Sequence, residues 1–144
     1  MKITVQKQLN GSFMPMYNSD CDKAKKYKVG DSLEISMRKP RNPLHHKKLF
    51  AIINMCLQNM PDYMHQKYAT SDSILDELKL QCGYYEMRVT LTGKRFYVPK
   101  SISFEKMDQT EFEKFYDKSL DIVLRYFLRG LTRKQVEEHL IDFF

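Results

Sequence analysis

The sequence predicts an α+β fold: a small, mainly antiparallel sheet packed with about four helices, the last two forming a C-terminal pair. Three observations predict it. Period-two alternation occurs near the N-terminus and again over 84–98, each time around a glycine-containing turn. Apolar residues at helical spacing follow Asn42-Pro43 and return throughout the last third of the chain. The 144 residues contain no internal repeat, low-complexity tract or linker, so 1–144 reads as a single domain with a sizeable core.

In chain order, Lys2 to Leu9 and Phe13 to Tyr17 read as a hairpin turning at Asn10-Gly11. Residues 18–30 read as a short helix or loop and then a turn at Val29-Gly30-Asp31. Ser32 to Met37 alternates again, with Leu33, Ile35 and Met37 on one face, and predicts a third strand. Asn42-Pro43 starts a helix: Asn is a favoured N-cap, and Pro at the first helical position loses no hydrogen bond. That helix is expected to reach Asn59, before Pro61. Leu49, Ile52, Ile53, Cys56, Leu57 and Met60 form its core stripe, with His46, Lys47, Asn54 and Gln58 on the opposite side. Residues 61–70 read as a mobile connection.

Thr70 or Ser71 caps the next helix, whose apolar side is Ile74, Leu75, Leu78 and Cys82 and whose stop is Gly83. Tyr84 to Leu91 and Arg95 to Val98 form a second hairpin. A two-residue loop at Gly93-Lys94 sets Leu91 opposite Phe96 and Val89 opposite Val98, with Arg88, Thr90, Thr92, Arg95 and Tyr97 on the other face. Ser101 to Phe104 is a further short strand. Asp108 with Glu111, and Met107 with Phe112, have the spacing of a capping box and a hydrophobic staple; Thr132 with Gln135 and Leu131 with Val136 repeat it for the last helix. Gly130 separates the two helices.

Charge is unevenly spread: +7 over residues 1–50, +1 over 51–100 and −2 over 101–144, for a net +6. A basic N-terminal part favours an anionic partner such as nucleic acid; it is also compatible with pairing to the acidic end of a second copy. Three cysteines without CxxC spacing argue against a disulfide framework, and Cys56 and Cys82 fall on apolar helix faces. No apolar run approaches the roughly 18 residues of a membrane span. The N-terminus lacks the apolar block of a secretion signal, which places the protein in a cytoplasm and away from membranes.

No GxSxG, P-loop, GxGxxG or HExxH pattern occurs, so no cofactor is expected and no catalytic residue is assigned. His45 and His46 are adjacent and diverge by about 100° on a helix, a poor metal pair. His65 and His139 lack the local acid–histidine spacing of a ββα nuclease site, and no metal site is predicted.

The densest positive charge lies between Arg38 and Ala51, which holds five of the 24 Lys/Arg residues, two of the four histidines and no acid. A solvated basic turn that caps a core helix is one reading. The other is a phosphate contact by Arg38, Lys39, Arg41, Lys47 and Lys48, assisted by the helix N-terminus. Arg95 and Tyr97 on the second hairpin, near Arg88, Lys94 and Lys100, offer charge beside a ring that stacks on unpaired bases. The alternative there is a polar sheet face. Lys23, Lys25, Lys26 and Lys28 read as a solvated patch. No helix-turn-helix or zinc finger accompanies these residues, so backbone-driven, weakly sequence-selective contact is expected.

The segment Arg41-Asn42-Pro43-Leu44-His45-His46-Lys47-Lys48-Leu49-Phe50-Ala51 resembles a small phage protein family of unknown function. The order of landmarks is similar too: Val29-Gly30-Asp31, then this segment, then Gly83-Tyr84-Tyr85-Glu86, Pro99 to Phe104, Met107-Asp108 and Glu111-Phe112. The same helix start is distantly similar to the NinB/Orf phage recombination proteins, in which a basic, polar run precedes lysine, leucine, an aromatic residue and alanine, as in Lys48-Leu49-Phe50-Ala51. That second similarity is confined to the helix start. It implies a dimeric mediator that binds single-stranded DNA and helps to load a recombinase.

The resulting expectation is a non-enzymatic phage DNA-metabolism accessory protein, acting in the host cytoplasm on single-stranded or forked DNA. A recombinase, a single-strand-binding protein or a second copy would be its further partners. The rival expectation is a protein-binding modulator of a host or phage machine, such as a replication or defence factor, without DNA contact. A metal-dependent nuclease stands third.

Overall fold

The computed structural model describes residues 1–141. These form an α+β fold of six helices and two separate two-stranded antiparallel sheets, so the single small sheet expected from the sequence is divided in two. The chain falls into two units, Met1–Met37 and one that begins at Arg38.

In the first unit, β1 (Val5–Lys7) pairs with β2 (Phe13–Pro15), and Gln6 lies opposite Met14. The loop between them closes where the Gln8 N–H donates to the Ser12 carbonyl at 2.8 Å, with Gly11 at φ +87°. The Asn10 carboxamide braces it by accepting from the Ser12 N–H at 3.0 Å. Helix α1 (Asn18–Ala24) settles the helix-or-loop alternative for this stretch. Its Asp20 is buried and accepts from the Thr4 N–H at 3.2 Å and from Lys23 at 3.1 Å, tying the helix to the start of the chain.

The expected third strand is absent. Residues 31–40 are exposed, and among the described residues no backbone hydrogen bond involves 32–37. Alternation supplies a face to bury, but a strand also needs a neighbouring edge to bond with.

The second unit holds the core. Helix α2 (Pro43–Asn59) has the expected bounds and buries Leu49, Ile52, Ile53 and Cys56. Helix α3 (Asp62–Lys67) occupies the stretch expected to be a mobile connection; Pro61 sets its start, and its close is the Tyr68 N–H donating to the Met64 carbonyl at 2.7 Å. Helix α4 (Ser71–Gln81) is capped by Thr70, whose hydroxyl and backbone exchange hydrogen bonds with Ser73. It ends at Gly83 (φ +75°), where the Gly83 N–H reaches the Leu80 carbonyl and the Tyr84 N–H reaches Lys79 at 2.8 Å, a Schellman closure.

Strands β3 (Tyr85–Val89) and β4 (Arg95–Pro99) pair with Arg88 opposite Phe96 and Val89 opposite Arg95. This corrects the expected register. The Thr90 N–H donates to the Lys94 carbonyl at 2.8 Å, so the loop is the three residues Leu91, Thr92 and Gly93, with Gly93 at φ +83°. A glycine in the left-handed region at the last loop position is the mark of a three-residue hairpin. Val89, Arg95, Tyr97, Met87 and Tyr85 therefore share one face, and Arg88 moves to the other with Glu86, Phe96 and Val98.

The expected strand at Ser101–Phe104 is also absent. Its Ile102 is buried and its Ser103 carbonyl accepts from the Met107 N–H at 3.0 Å, so the segment turns rather than extends. Helix α5 (Gln109–Ile122) is continued by a π-helical turn, Val123–Phe127. Its cap Asp108 accepts from the Glu111 N–H at 2.8 Å, and Met107 and Phe112 are both buried beneath it. Helix α6 (Arg133–Ile141) starts with the reciprocal Thr132–Gln135 pair. Val136 is buried as a staple residue should be; its expected mate Leu131 is exposed. The core joins α2, α4, α5, the π turn and α6 through Leu49, Ile53, Leu78, Phe112, Val123 and Leu140. No helix among the described residues is long and apolar enough to cross a membrane.

Candidate nucleic-acid interface

The basic helix start is fastened to α5 by Gln109. Its side-chain oxygen accepts from the Asn42 N–H at 2.8 Å, its N–H₂ donates to His45 Nδ1 at 3.0 Å and to Glu113 at 3.2 Å, and its own backbone N–H reaches the Lys39 carbonyl at 3.2 Å. A single buried amide thus fixes the chain on both sides of Arg41. Nothing in the sequence marked it, because Gln109 sits in the first turn of a distant helix as an ordinary polar residue.

Arg41 is not a surface cation. It is 7% exposed, and its guanidinium donates to the Ile102 carbonyl at 2.8 Å and to His46 Nδ1 at 2.7 Å. Its plane lies over the Phe112 ring at 3.7 Å and the Phe104 ring at 4.9 Å. Burial lowers its pKa from the ordinary arginine value. A phosphate contact at Arg41 would have to break this packing, which corrects its expected role at the surface.

His46 likewise does not lie on the outer side of α2. It is half-buried, 5.0 Å from the Phe50 ring and 5.2 Å from Phe104. His45 packs edge-on against Phe112 at 5.0 Å and Tyr116 at 4.4 Å. Burial lowers both imidazole pKa values; Lys48 adds to the effect at His45 and Arg41 at His46.

The helix N-terminus offers less to an anion than the sequence implied. Pro43 has no N–H, the Leu44 N–H is taken by the Asn42 side chain at 3.0 Å, and the His46 N–H by the Asn42 carbonyl at 3.1 Å. That leaves His45 as the first-turn donor without a partner among the described residues.

The other cations differ in how free they are. Arg38 donates to the Glu105 carbonyl at 2.6 Å, and Lys39 stands 3.7 Å from Glu113 with both side chains well exposed. Lys47 is exposed and Lys48 half-buried, and neither has an ion-pair partner among the described residues. On the second hairpin, Arg95 and Tyr97 do share a face, and Tyr97 packs edge-on against Tyr85 at 4.8 Å. No hydrogen bond, ion pair or ring contact among the described residues joins them to the helix start. In the first unit Lys23 and Lys25 pair with Asp20 and Asp22, in keeping with a solvated patch.

No group of three or more His, Cys, Asp or Glu side chains that could hold a metal ion occurs among the described residues. Cys56 is buried and its thiol is pushed up to about 12 by desolvation. Cys82 is half-buried 3.6 Å from the Ser119 hydroxyl, and Cys21 is exposed.

No curated protein matches the chain, and no solved structure does. One family does match, over residues 1–64 and 58–142. The chain belongs to that family, whose description is "Protein of unknown function (DUF1367)".

Proposed function

We propose that this chain is a non-enzymatic accessory factor of phage DNA metabolism that binds single-stranded or forked DNA in recombination or replication. The observation that carries the reading is the cationic surface at the start of α2. Lys47 and Lys48 lack ion-pair partners among the described residues, and Arg38 and Lys39 lie just before them in the chain. The net charge of +6 and the absence of acids from the segment between Arg38 and Ala51 support a polyanionic partner. The resemblance of the helix start to phage proteins supports the setting: the host cytoplasm, with a recombinase, a single-strand-binding protein or a second copy as further partners.

The test is a gel-shift series with single-stranded, duplex and forked DNA at two salt concentrations. Salt-sensitive binding that favours single-stranded or forked DNA supports the reading, and no binding at low salt ends it. Cleavage that needs a divalent metal and vanishes in a His45→Ala/His46→Ala protein shown by circular dichroism to be folded would identify a nuclease instead.

One observation favours a second reading, a protein-binding modulator of a host or phage machine. Leu33, Ile35 and Met37 are 50%, 70% and 62% exposed on a segment with strand alternation. A segment with strand alternation and no backbone partner is a ready element for adding to the sheet edge of a protein partner.

A further inference from the structure

We propose that the cleft around Tyr84, at the base of the second hairpin, is the path for single-stranded DNA, with Tyr84 stacking on a base and Lys100 and Lys106 contacting phosphates. This rests on the DNA-binding reading above and names a surface that the helix start does not include. Two adjoining open clefts, of about 400 and 240 Å³, share Tyr84 as a wall. The larger is lined by Arg88, Lys100 and Lys106 with one carboxylate, Glu86, which stands 3.7 Å from Arg88. The smaller adds Lys114 and Lys118 with one carboxylate, Glu111.

The larger volume is within the range of ligand sites, but its lining carries three cations. Five cations against two carboxylates instead suit a chain of phosphates.

Tyr84 is held for this task at its backbone. The Schellman closure at Gly83 pins its N–H to Lys79, and its carbonyl accepts from the Lys100 N–H at 3.1 Å. The ring is half-buried, 6.0 Å from Phe115, and the Lys100 ammonium lies 5.6 Å from its centre. The platform is therefore fixed, with a cation beside it. The register correction contributes directly, because it puts Arg88 on the cleft side of the hairpin and away from Arg95 and Tyr97.

The experiment is fluorescence anisotropy of a labelled oligothymidylate across a salt series, on the full chain, with folding checked by circular dichroism. Lys100→Ala/Lys106→Ala is expected to flatten the log affinity–log salt slope by about 1.4, the value for two phosphate contacts on a single strand. Tyr84→Leu is expected to weaken binding by about 5- to 150-fold with little change in that slope, and Tyr84→Phe to keep the affinity. If wild type binds and Lys100→Ala/Lys106→Ala behaves as wild type, the cleft is overturned while the DNA reading stands. If folded wild type shows no affinity at low salt, both fall.

Discussion

Arg41 donates a hydrogen bond to Nδ1 of His46 at 2.7 Å, and its direction is fixed by chemistry. A guanidinium has no acceptor, so the His46 Nδ1 carries no proton and the neutral ring keeps its hydrogen on Nε2. His45 is in the same state, because the Gln109 N–H₂ donates to its Nδ1 while the Gln109 oxygen is occupied by the Asn42 N–H. Protonating either ring would break the bond that holds the α2 start in place.

Stability should therefore fall on mild acidification. Both histidines have folded pKa values below the ordinary 6.5, by burial first, with Lys48 and Arg41 adding repulsion and Glu113 and Asp117 opposing it at His45. The unfolded chain then binds more protons as pH drops below that value. The stability is fully present above about pH 6.5, declines as pH falls from there, and is lost below the folded pKa values. Urea midpoints between about pH 7.5 and 5.5 would read this before most carboxylates titrate. His46→Gln, which can accept from Arg41 and does not titrate, should reduce the slope; an undiminished slope in His45→Gln/His46→Gln would assign the acid sensitivity elsewhere.

Arg41 should behave as a core residue. Arg41→Ala removes the donor to two backbone carbonyls, Ile102 and Met107, and uncovers the Phe112 ring. Each stranded buried polar group costs about 1–3 kcal/mol, so the urea midpoint should drop clearly. Arg41→Lys should rescue only in part, because an ammonium cannot reproduce the planar fork over the ring. A midpoint unchanged in Arg41→Ala would restore Arg41 to the list of surface cations.

The start of α5 should depend on its cap. Asp108 is the acceptor for the Glu111 N–H, so Asp108→Ala should cost about 0.5–2 kcal/mol. Asp108→Asn keeps the acceptor and should recover most of it. Equal denaturation midpoints for Asp108→Ala and wild type would show that the cap bears no load at this boundary.

These residues also show what was legible in the sequence. The bounds of α2, the Asp108 cap and the Thr132–Gln135 box were readable because each signal is local: a capping side chain bonds an amide within three residues of itself. The burial of Arg41 was not legible because its partners Ile102, Met107 and Phe112 are more than sixty positions away, and no local spacing distinguishes a buried arginine from a solvated one. The hairpin register failed for a narrower reason. Gly93 fits either the first position of a two-residue loop or the last of a three-residue loop, and the two registers put Arg88 on opposite faces. Ser32–Met37 failed differently: its alternation is real, but strand formation depends on an edge that a single chain's pattern does not reveal.

The DNA reading makes a last prediction that separates the cations by their surroundings. Lys47 and Lys48 have no ion-pair partner among the described residues, whereas Arg41 is enclosed. If Lys47 and Lys48 each neutralise one phosphate, Lys47→Ala/Lys48→Ala should flatten the salt slope on single strands by about 1.4 without moving the urea midpoint. Arg41→Ala should do the reverse, shifting the midpoint and leaving the slope of the folded fraction nearly unchanged. Tyr97, 56% exposed and braced by Tyr85, should act only through stacking. Tyr97→Ala would then weaken binding by roughly 1–3 kcal/mol at constant slope. A slope that responds to Arg41→Ala but not to Lys47→Ala/Lys48→Ala would mean that the helix start opens on binding, because the guanidinium can reach a phosphate only by leaving His46 and Phe112.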